Sequence, residues 1–209
     1  MTYTKILTVA LLAAATLSPA ASAAPGDELL TRAAALNPNL HTFAATLHAH
    51  VAMKSFPYLS ADVTGDWYYR QPDKYKVVFT GGLPVIAQQF DKLYVRLEPP
   101  AEWRERYTVS IVSDDGKATH FRLVPRRAGN VESIDAFIDD KNATVTSMRW
   151  NYAKGAYAEV HNRYALVSGN ELVQSQTGHV EEPGYAGDIT STIGDYKVNA
   201  TLPSGIFSQ

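Results

Sequence analysis

A strict alternation of apolar and other side chains marks residues 42–54. Every second position is apolar, and the positions between them hold threonines, histidines, a lysine and two alanines. A period of two is typical of a strand with one buried face, whereas a helix repeats every 3.6 residues. Although the segment is rich in alanine, it is therefore predicted to be a strand. Its inward side chains are Phe43, Ala45, Leu47, Ala49, Val51 and Met53.

A short amphipathic helix is predicted just before this strand. Asp27 is a suitable N-cap, and Glu28 places a second negative charge in the first turn. The Asn-Pro-Asn sequence at residues 37–39 ends the helix. The apolar stripe comprises Leu29, Leu30, Ala33 and Leu36.

The remainder of the chain reads as a succession of strands. Short breaks containing Gly, Pro, Asp and Asn separate them at a spacing of roughly 8–12 residues, which indicates an antiparallel meander. We see no repeat and no linker that would divide the chain. The predicted strands are residues 62–70, 74–80, 85–90, 92–97, 106–112, 120–125, 131–139, 144–151, 157–166, 172–180 and 189–198.

The first 23 residues have the pattern of a cleavable signal peptide. Lys5 precedes an uncharged apolar run at residues 6–17, and Ala21, Ser22 and Ala23 form a small-x-small cleavage site. The run is too short to span a membrane. We therefore expect export to the periplasm, a mature chain that begins at Ala24 and one domain over residues 24–209.

Composition narrows the function further. The formal charge is −2, so a nucleic-acid partner, which would need a basic stripe, is not expected. There is no cysteine, which excludes disulfides, a thiolate nucleophile and cysteine-ligated metals. Sequence motifs for a catalytic serine, a zinc protease, a phosphate loop or an EF-hand are also absent.

His48 and His50 are the best candidates for metal chemistry. On a strand, their rings would share one face about 7 Å apart, and two imidazoles can hold zinc if a third ligand arrives from elsewhere. His120 or His161 would have to supply that ligand. The alternative is that both histidines lie on a solvated polar face.

Aromatic residues are spread over the predicted strands, and Trp67, Tyr68 and Tyr69 are consecutive. Consecutive side chains on a strand point to opposite faces, so both faces are at least partly covered. One face can pack on the helix while another lines a cavity. A plain sandwich core would produce the same pattern.

Residues 65–75, Gly-Asp-Trp-Tyr-Tyr-Arg-Gln-Pro-Asp-Lys-Tyr, resemble a strand signature of the LolA/LolB-like periplasmic lipoprotein carriers. The other elements of that family follow in order. Residues 90–95 resemble its Leu-Trp strand, residues 121–125 its Phe-x-Leu-x-Pro strand and residues 201–207 its closing Pro-x-Gly segment. The resemblance covers nearly all of residues 27–207.

This resemblance implies an antiparallel, incomplete half β-barrel around a hydrophobic cavity closed by helices. It also implies a soluble carrier of lipoprotein acyl chains that is not an enzyme and needs no cofactor. Its cargo would be a lipid or an acylated protein, exchanged with membrane-bound donor and acceptor proteins. The residues that would face the cavity are Phe43, Leu47, Val51, Trp67, Tyr69, Gln71, Tyr75, Val77 and Phe79.

Two features depart from the family pattern. The carriers have an arginine, which tethers the helical lid, where this chain has Gln71, and Arg70 lies one residue earlier on the opposite strand face. Residues 99–105 also leave room for at most one helical turn before strand character resumes, so a lid is expected to be reduced or absent.

Three functions follow as hypotheses. The first is a periplasmic carrier or binder of acyl chains. The second is an envelope regulatory module, because the same fold occurs as a lipid-sensing domain in proteins that resemble sigma-factor regulators. The third is a zinc-dependent hydrolase that uses His48 and His50.

Overall fold

The computed structural model describes residues 25–56, 58–80 and 99–208. The proposed signal peptide and the predicted strands 85–90 and 92–97 lie outside them, as does the segment 90–95 of the family resemblance. The strands are β1 (Thr42–Met53), β2 (Ser60–Arg70), β3 (Lys74–Phe79), β4 (Tyr107–Asp114), β5 (Ala118–Pro125), β6 (Val131–Asp139), β7 (Val145–Tyr152), β8 (Tyr157–Val167), β9 (Asn170–Glu182) and β10 (Tyr185–Val198).

All ten strands form one antiparallel sheet in the order β3-β2-β1-β10-β9-β8-β7-β6-β5-β4. Hairpins join neighbouring strands, and β1 pairs with β10 to join the two ends of the chain. Within the described residues β3 and β4 pair on one side only, so the sheet is an open half-barrel. The predicted fold class is confirmed. Each predicted strand within the described residues is present, with ends shifted by a few residues.

The alternation in β1 corresponds to burial on the concave face of the sheet. All six residues predicted to point inward are buried, and Leu47 and Val51 are only 1% exposed. The intervening residues are half-buried or exposed. The two-residue period therefore predicts this strand correctly, even though the segment is rich in alanine, a helix-favouring residue.

Helix α1 (Pro25–Ala34) covers one half of the concave face. The inward residues Leu29, Leu30 and Ala33 are buried, whereas Leu36 lies beyond the end of the helix and is half-buried. These side chains share a core with residues of β5, β6 and β7, among them Phe121, Leu123, Ile134, Ala136, Ile138 and Met148.

Residues 100–106 form more helix than the single turn that the sequence predicts for residues 99–105. A 3-10 helix, Pro100–Glu102, runs into a short helix α2, Trp103–Arg106. Trp103 is fully buried in the same core as α1, and its ring meets Phe121 edge-on. An ion pair between Arg104 and Asp27 joins α2 to α1. No helix in the described part of the chain is long and apolar enough to cross a membrane.

Two bulges interrupt the alternation on neighbouring strands. On β10 the register against β1 shifts beside Asp195, whose φ is 53°. On β9 the register against β8 shifts beside Gln174. A bulge reverses which face the following residues present. As a result Tyr196 and Val173 line the concave side, where the hydroxyl of Tyr196 donates a hydrogen bond to the Val173 carbonyl at 2.5 Å.

Candidate functional site

A cavity of about 1320 Å³ lies between the concave face and the helical segments. Strands β1–β3 and β7–β10 form its wall. The end of α1, the link from α1 to β1, residues 99–105 and Phe207 complete it. Among the described residues, α1 and Trp103 fill the other half of the face, whereas only the end of α1 and residues 99–105 border this half. Within the described part of the chain, the cavity is therefore the half of the concave face that the helices leave open.

The structure brings seven of the nine predicted site residues together in the cavity wall. Leu47 and Val51 are the exceptions, because each is only 1% exposed and neither borders the cavity. Direct ligand contact stays a prediction for the seven. They are Phe43, Trp67, Tyr69, Gln71, Tyr75, Val77 and Phe79.

The wall on β1, β2 and β3 is built from contacting aromatic rings. Phe43 lies edge-on to Trp67 and stacked on Tyr69, with ring centroids 5.4 Å apart in both pairs. Tyr69 in turn lies 4.9 Å from Tyr75. The strand register explains these contacts, because Phe43 is directly opposite Tyr69, and Tyr69 is opposite Tyr75. Such rings have few rotatable bonds and give the wall a fixed apolar shape.

Gln71 binds the link between α1 and β1. Its side-chain oxygen lies 2.8 Å from Nδ1 of His41, and its backbone N–H donates to the His41 carbonyl. Arg70 stacks over the ring of Phe207, at 4.9 Å from the ring centroid. These contacts hold the link and the C-terminal segment at the cavity. Sequence reasoning did not find His41 or Phe207, because both lie outside the predicted strands.

Asn37 ties the same link to the sheet. Its side chain accepts from the Glu171 backbone N–H at 2.9 Å and donates to the Glu171 carbonyl at 3.0 Å. The Asn37 amide thus makes the two hydrogen bonds to the Glu171 backbone that a neighbouring strand would otherwise make. Asn37 was predicted only to end the helix.

The polar side chains deep in the cavity wall are uncharged. Asn162 and Gln176 line it and are 7% and 5% exposed. Burial raises the pKa of Tyr164 well above its ordinary value. Burial and the nearby Tyr164 do the same for the pKa of Tyr196. Both phenols therefore stay neutral at physiological pH. The charged residues of the lining are exposed, as Lys74 and Glu105 are, or half-buried, as Glu159 and Glu171 are.

His48 and His50 lie on the convex face, away from the cavity. Nδ1 of His48 is 3.1 Å from the Thr64 hydroxyl, and Nδ1 of His50 is 2.8 Å from an Asp62 oxygen. Both histidines are exposed. Within the described residues no three His, Cys, Asp or Glu side chains group closely enough to hold a metal ion. The structure does not bring His120 or His161 to this pair.

Comparisons with known proteins identify the fold. No protein-family model matches the chain. No curated protein matches it significantly. A DUF1329 family protein from Desulfovibrio piger matches with a TM-score of 0.63 and 10% identity, over 86% of this chain and 94% of that one.

Two further solved structures share the architecture. An outer membrane lipoprotein-sorting protein domain from Vibrio parahaemolyticus has a TM-score of 0.60 and 10% identity, over 86% of this chain and 94% of that one. A LolA superfamily protein from Nitrosomonas europaea has a TM-score of 0.52 and 9% identity, over 87% and 96%. The chain therefore has the LolA-like fold that its sequence motifs resemble.

Proposed function

We propose that this chain binds acyl chains in its cavity and carries a lipid or an acylated protein. The observation that carries the proposal is a cavity of about 1320 Å³ with an aromatic and aliphatic wall. Small-molecule pockets usually enclose about 300–1000 Å³, so this cavity has room for long chains. Each methylene that leaves water contributes about 0.8 kcal/mol, so affinity needs no charged anchor.

The likeness to the Vibrio parahaemolyticus domain supports the choice of cargo. That structure is described as an outer membrane lipoprotein-sorting protein domain. The cavity of this chain, in a half-barrel of similar fold, is suited to the same class of ligand. Membrane-bound proteins would then deliver the cargo and receive it.

The carrier would act by burial alone, as a non-enzyme without a cofactor. The deeply buried polar side chains of the wall, Asn162 and Gln176, support this, because they do not titrate and general acid–base catalysis needs a group that titrates near the working pH. His48 and His50 face away from the wall, which separates the zinc-hydrolase hypothesis from the cavity. We further propose that residues 1–23 direct export and are removed, and that residues 24–209 work as one domain in the periplasm.

Native mass spectrometry tests the proposal most directly. The protein would be purified gently from the envelope of cells that express it, and bound lipid would be extracted and identified. We expect an acyl lipid or an acylated protein in complex with a chain that begins at Ala24. The Trp67→Asp variant, prepared in parallel, is expected to retain less of it.

An empty protein that also fails to take up fluorescent fatty acids would contradict the carrier function. That result would favour the regulatory hypothesis, in which a partner protein and not a lipid is recognised. Stoichiometric zinc in the same spectra would instead favour the hydrolase.

A further inference from the structure

A row of polar side chains crosses the otherwise apolar concave face. Ser191 on β10, Gln176 on β9 and Asn162 on β8 lie directly opposite one another in the strand register. They are 1%, 5% and 7% exposed. The row separates two apolar clusters, so that on β10 Ser191 lies between Ile189 of one cluster and Ile193 of the other.

The hydrogen bonds of this row all point from β9 towards β7, with each amide donating to the next acceptor. Nδ2 of Asn162 donates to the Val145 carbonyl at 2.9 Å, which leaves Oδ1 of Asn162 as an acceptor. Nε2 of Gln176 donates to that oxygen at 2.8 Å. The backbone carbonyl at the start of β7 thus fixes the orientation of both amides, since the reverse orientation would set two oxygens against each other.

This order leaves the side-chain oxygen of Gln176 without a donor among the described residues. Gln176 lines the cavity, and its oxygen is not among the atoms that are sealed off from solvent. The neighbouring Ser191 hydroxyl is sealed off and has no partner among the described residues. A row that served packing alone would have its buried polar groups paired, because an unpaired one is costly.

We propose that Gln176 Oε1 accepts a hydrogen bond from an uncharged donor on the bound acyl ligand, a hydroxyl or an amide N–H. This inference rests on the proposed function and adds a preference among acyl ligands. The donor is uncharged because the row contains no carboxylate and the nearby Tyr164 stays neutral. Acyl chains that carry a hydroxyl or are linked through an amide fit this description.

Two ligands that differ at one amide N–H, where the second carries a methyl group instead, test the preference. N-methylpalmitamide has an N–H, and N,N-dimethylpalmitamide has the same chain without it. Their affinities for the full chain would be measured by displacement of a fluorescent fatty acid. We expect the ratio of the two affinities, N–H ligand over dimethyl ligand, to be about three- to tenfold higher in the parent protein than in a variant without the acceptor, as the net effect of one hydrogen bond.

The Gln176→Met variant is expected to lower this ratio by that factor, because methionine keeps the length of the side chain and removes the acceptor, while the contribution of the added methyl group is common to both proteins. Gln174→Met on the same strand is the matched control, since Gln174 is exposed, and its ratio should equal that of the parent protein. A ratio of affinities is insensitive to partial unfolding, so a loss of stability in Gln176→Met does not obscure the result.

Two results would overturn the inference while leaving the carrier function intact. One is the same ratio of affinities in the parent protein and in Gln176→Met, which would place the acceptor elsewhere. The other is an equal fall of the ratio in Gln174→Met, which would show that the effect is not specific to Gln176. Failure of the fatty acid and both amides to bind would instead contradict the proposed function itself.

Discussion

Two side chains predicted for the same role have different surroundings at the residue scale. Trp67 is half-buried in the cavity wall, and Leu47 is 1% exposed in the core beneath it. Both lie on the concave face, and both were predicted as ligand contacts. A side chain in a wall touches ligand on one side, whereas a side chain in the core touches only protein.

Aspartate at these two positions should therefore have different effects. Trp67→Asp is expected to remain folded and to bind fatty acids at least about tenfold more weakly, because apolar surface is lost and a charge faces the chain. Leu47→Asp is expected to unfold the protein, since a lone carboxylate cannot be paired there. Circular dichroism and fatty-acid titration would measure the two effects. Weaker binding by a folded Leu47→Asp protein would place that residue in the wall.

At the scale of elements, a half-buried acid joins three strands on the convex side. Asp135 of β6 accepts hydrogen bonds from Arg122 of β5 and Asn151 of β7, each at 2.9 Å, and contacts His120 of β5. Burial opposes ionisation of Asp135, but these hydrogen bonds outweigh it and hold the pKa of its carboxyl below the ordinary value of 3.8.

The lowered pKa predicts how stability depends on pH. Asp135 is charged more readily in the folded chain than in the unfolded chain, so its contribution is complete well above pH 3.8 and is lost as pH falls through the folded pKa. Asp135→Asn is expected to lower the free energy of unfolding by about 2 kcal/mol at neutral pH. Urea denaturation should show this difference shrinking in acid. The exposed Glu132→Gln on the same strand is the control, and a difference that stays constant with pH would contradict the prediction.

A glycine sets the close approach of β2 to β3. A Cβ at Gly65 would lie 2.7 Å from the Val78 carbonyl oxygen and 3.2 Å from Cα of Phe79. Both neighbours are backbone atoms, so the strands would have to separate. Gly65→Ala is expected to cost about 1–3 kcal/mol of stability in urea denaturation. Gly194→Ala, where the Cβ would meet nothing within 4 Å, should cost much less, and equal losses would refute this explanation.

For the molecule as a whole, helix coverage decides where the half-barrel is solid and where it is hollow. Among the described residues, α1 and Trp103 fill one half of the concave face, and the other half remains as the cavity. Apolar side chains face inward in both halves. Their burial stabilises the fold in the first half and is available to a ligand in the second.

The apolar cavity predicts how the affinity for a fatty acid depends on the length of its acyl chain. Each added methylene of a saturated fatty acid contributes about 0.8 kcal/mol, which corresponds to a fourfold gain in affinity, until the cavity is full. Beyond that length affinity should level off. Displacement titrations over a series of chain lengths would measure the slope and the plateau. An affinity that does not change with length would indicate binding through the headgroup at the rim.

Within the described residues, the sequence by itself determined which segments are strands and which side chains of β1 point inward, since alternation is a local property of an extended chain. The inward set of β1 was read correctly for this reason. Only the tertiary structure decided that Leu47 lies in the core while Trp67 lines the cavity, because that depends on what packs opposite. The bulges that turn Tyr196 and Val173 inward, and the register that aligns Ser191, Gln176 and Asn162, likewise depend on contacts between strands, which no single strand's sequence contains.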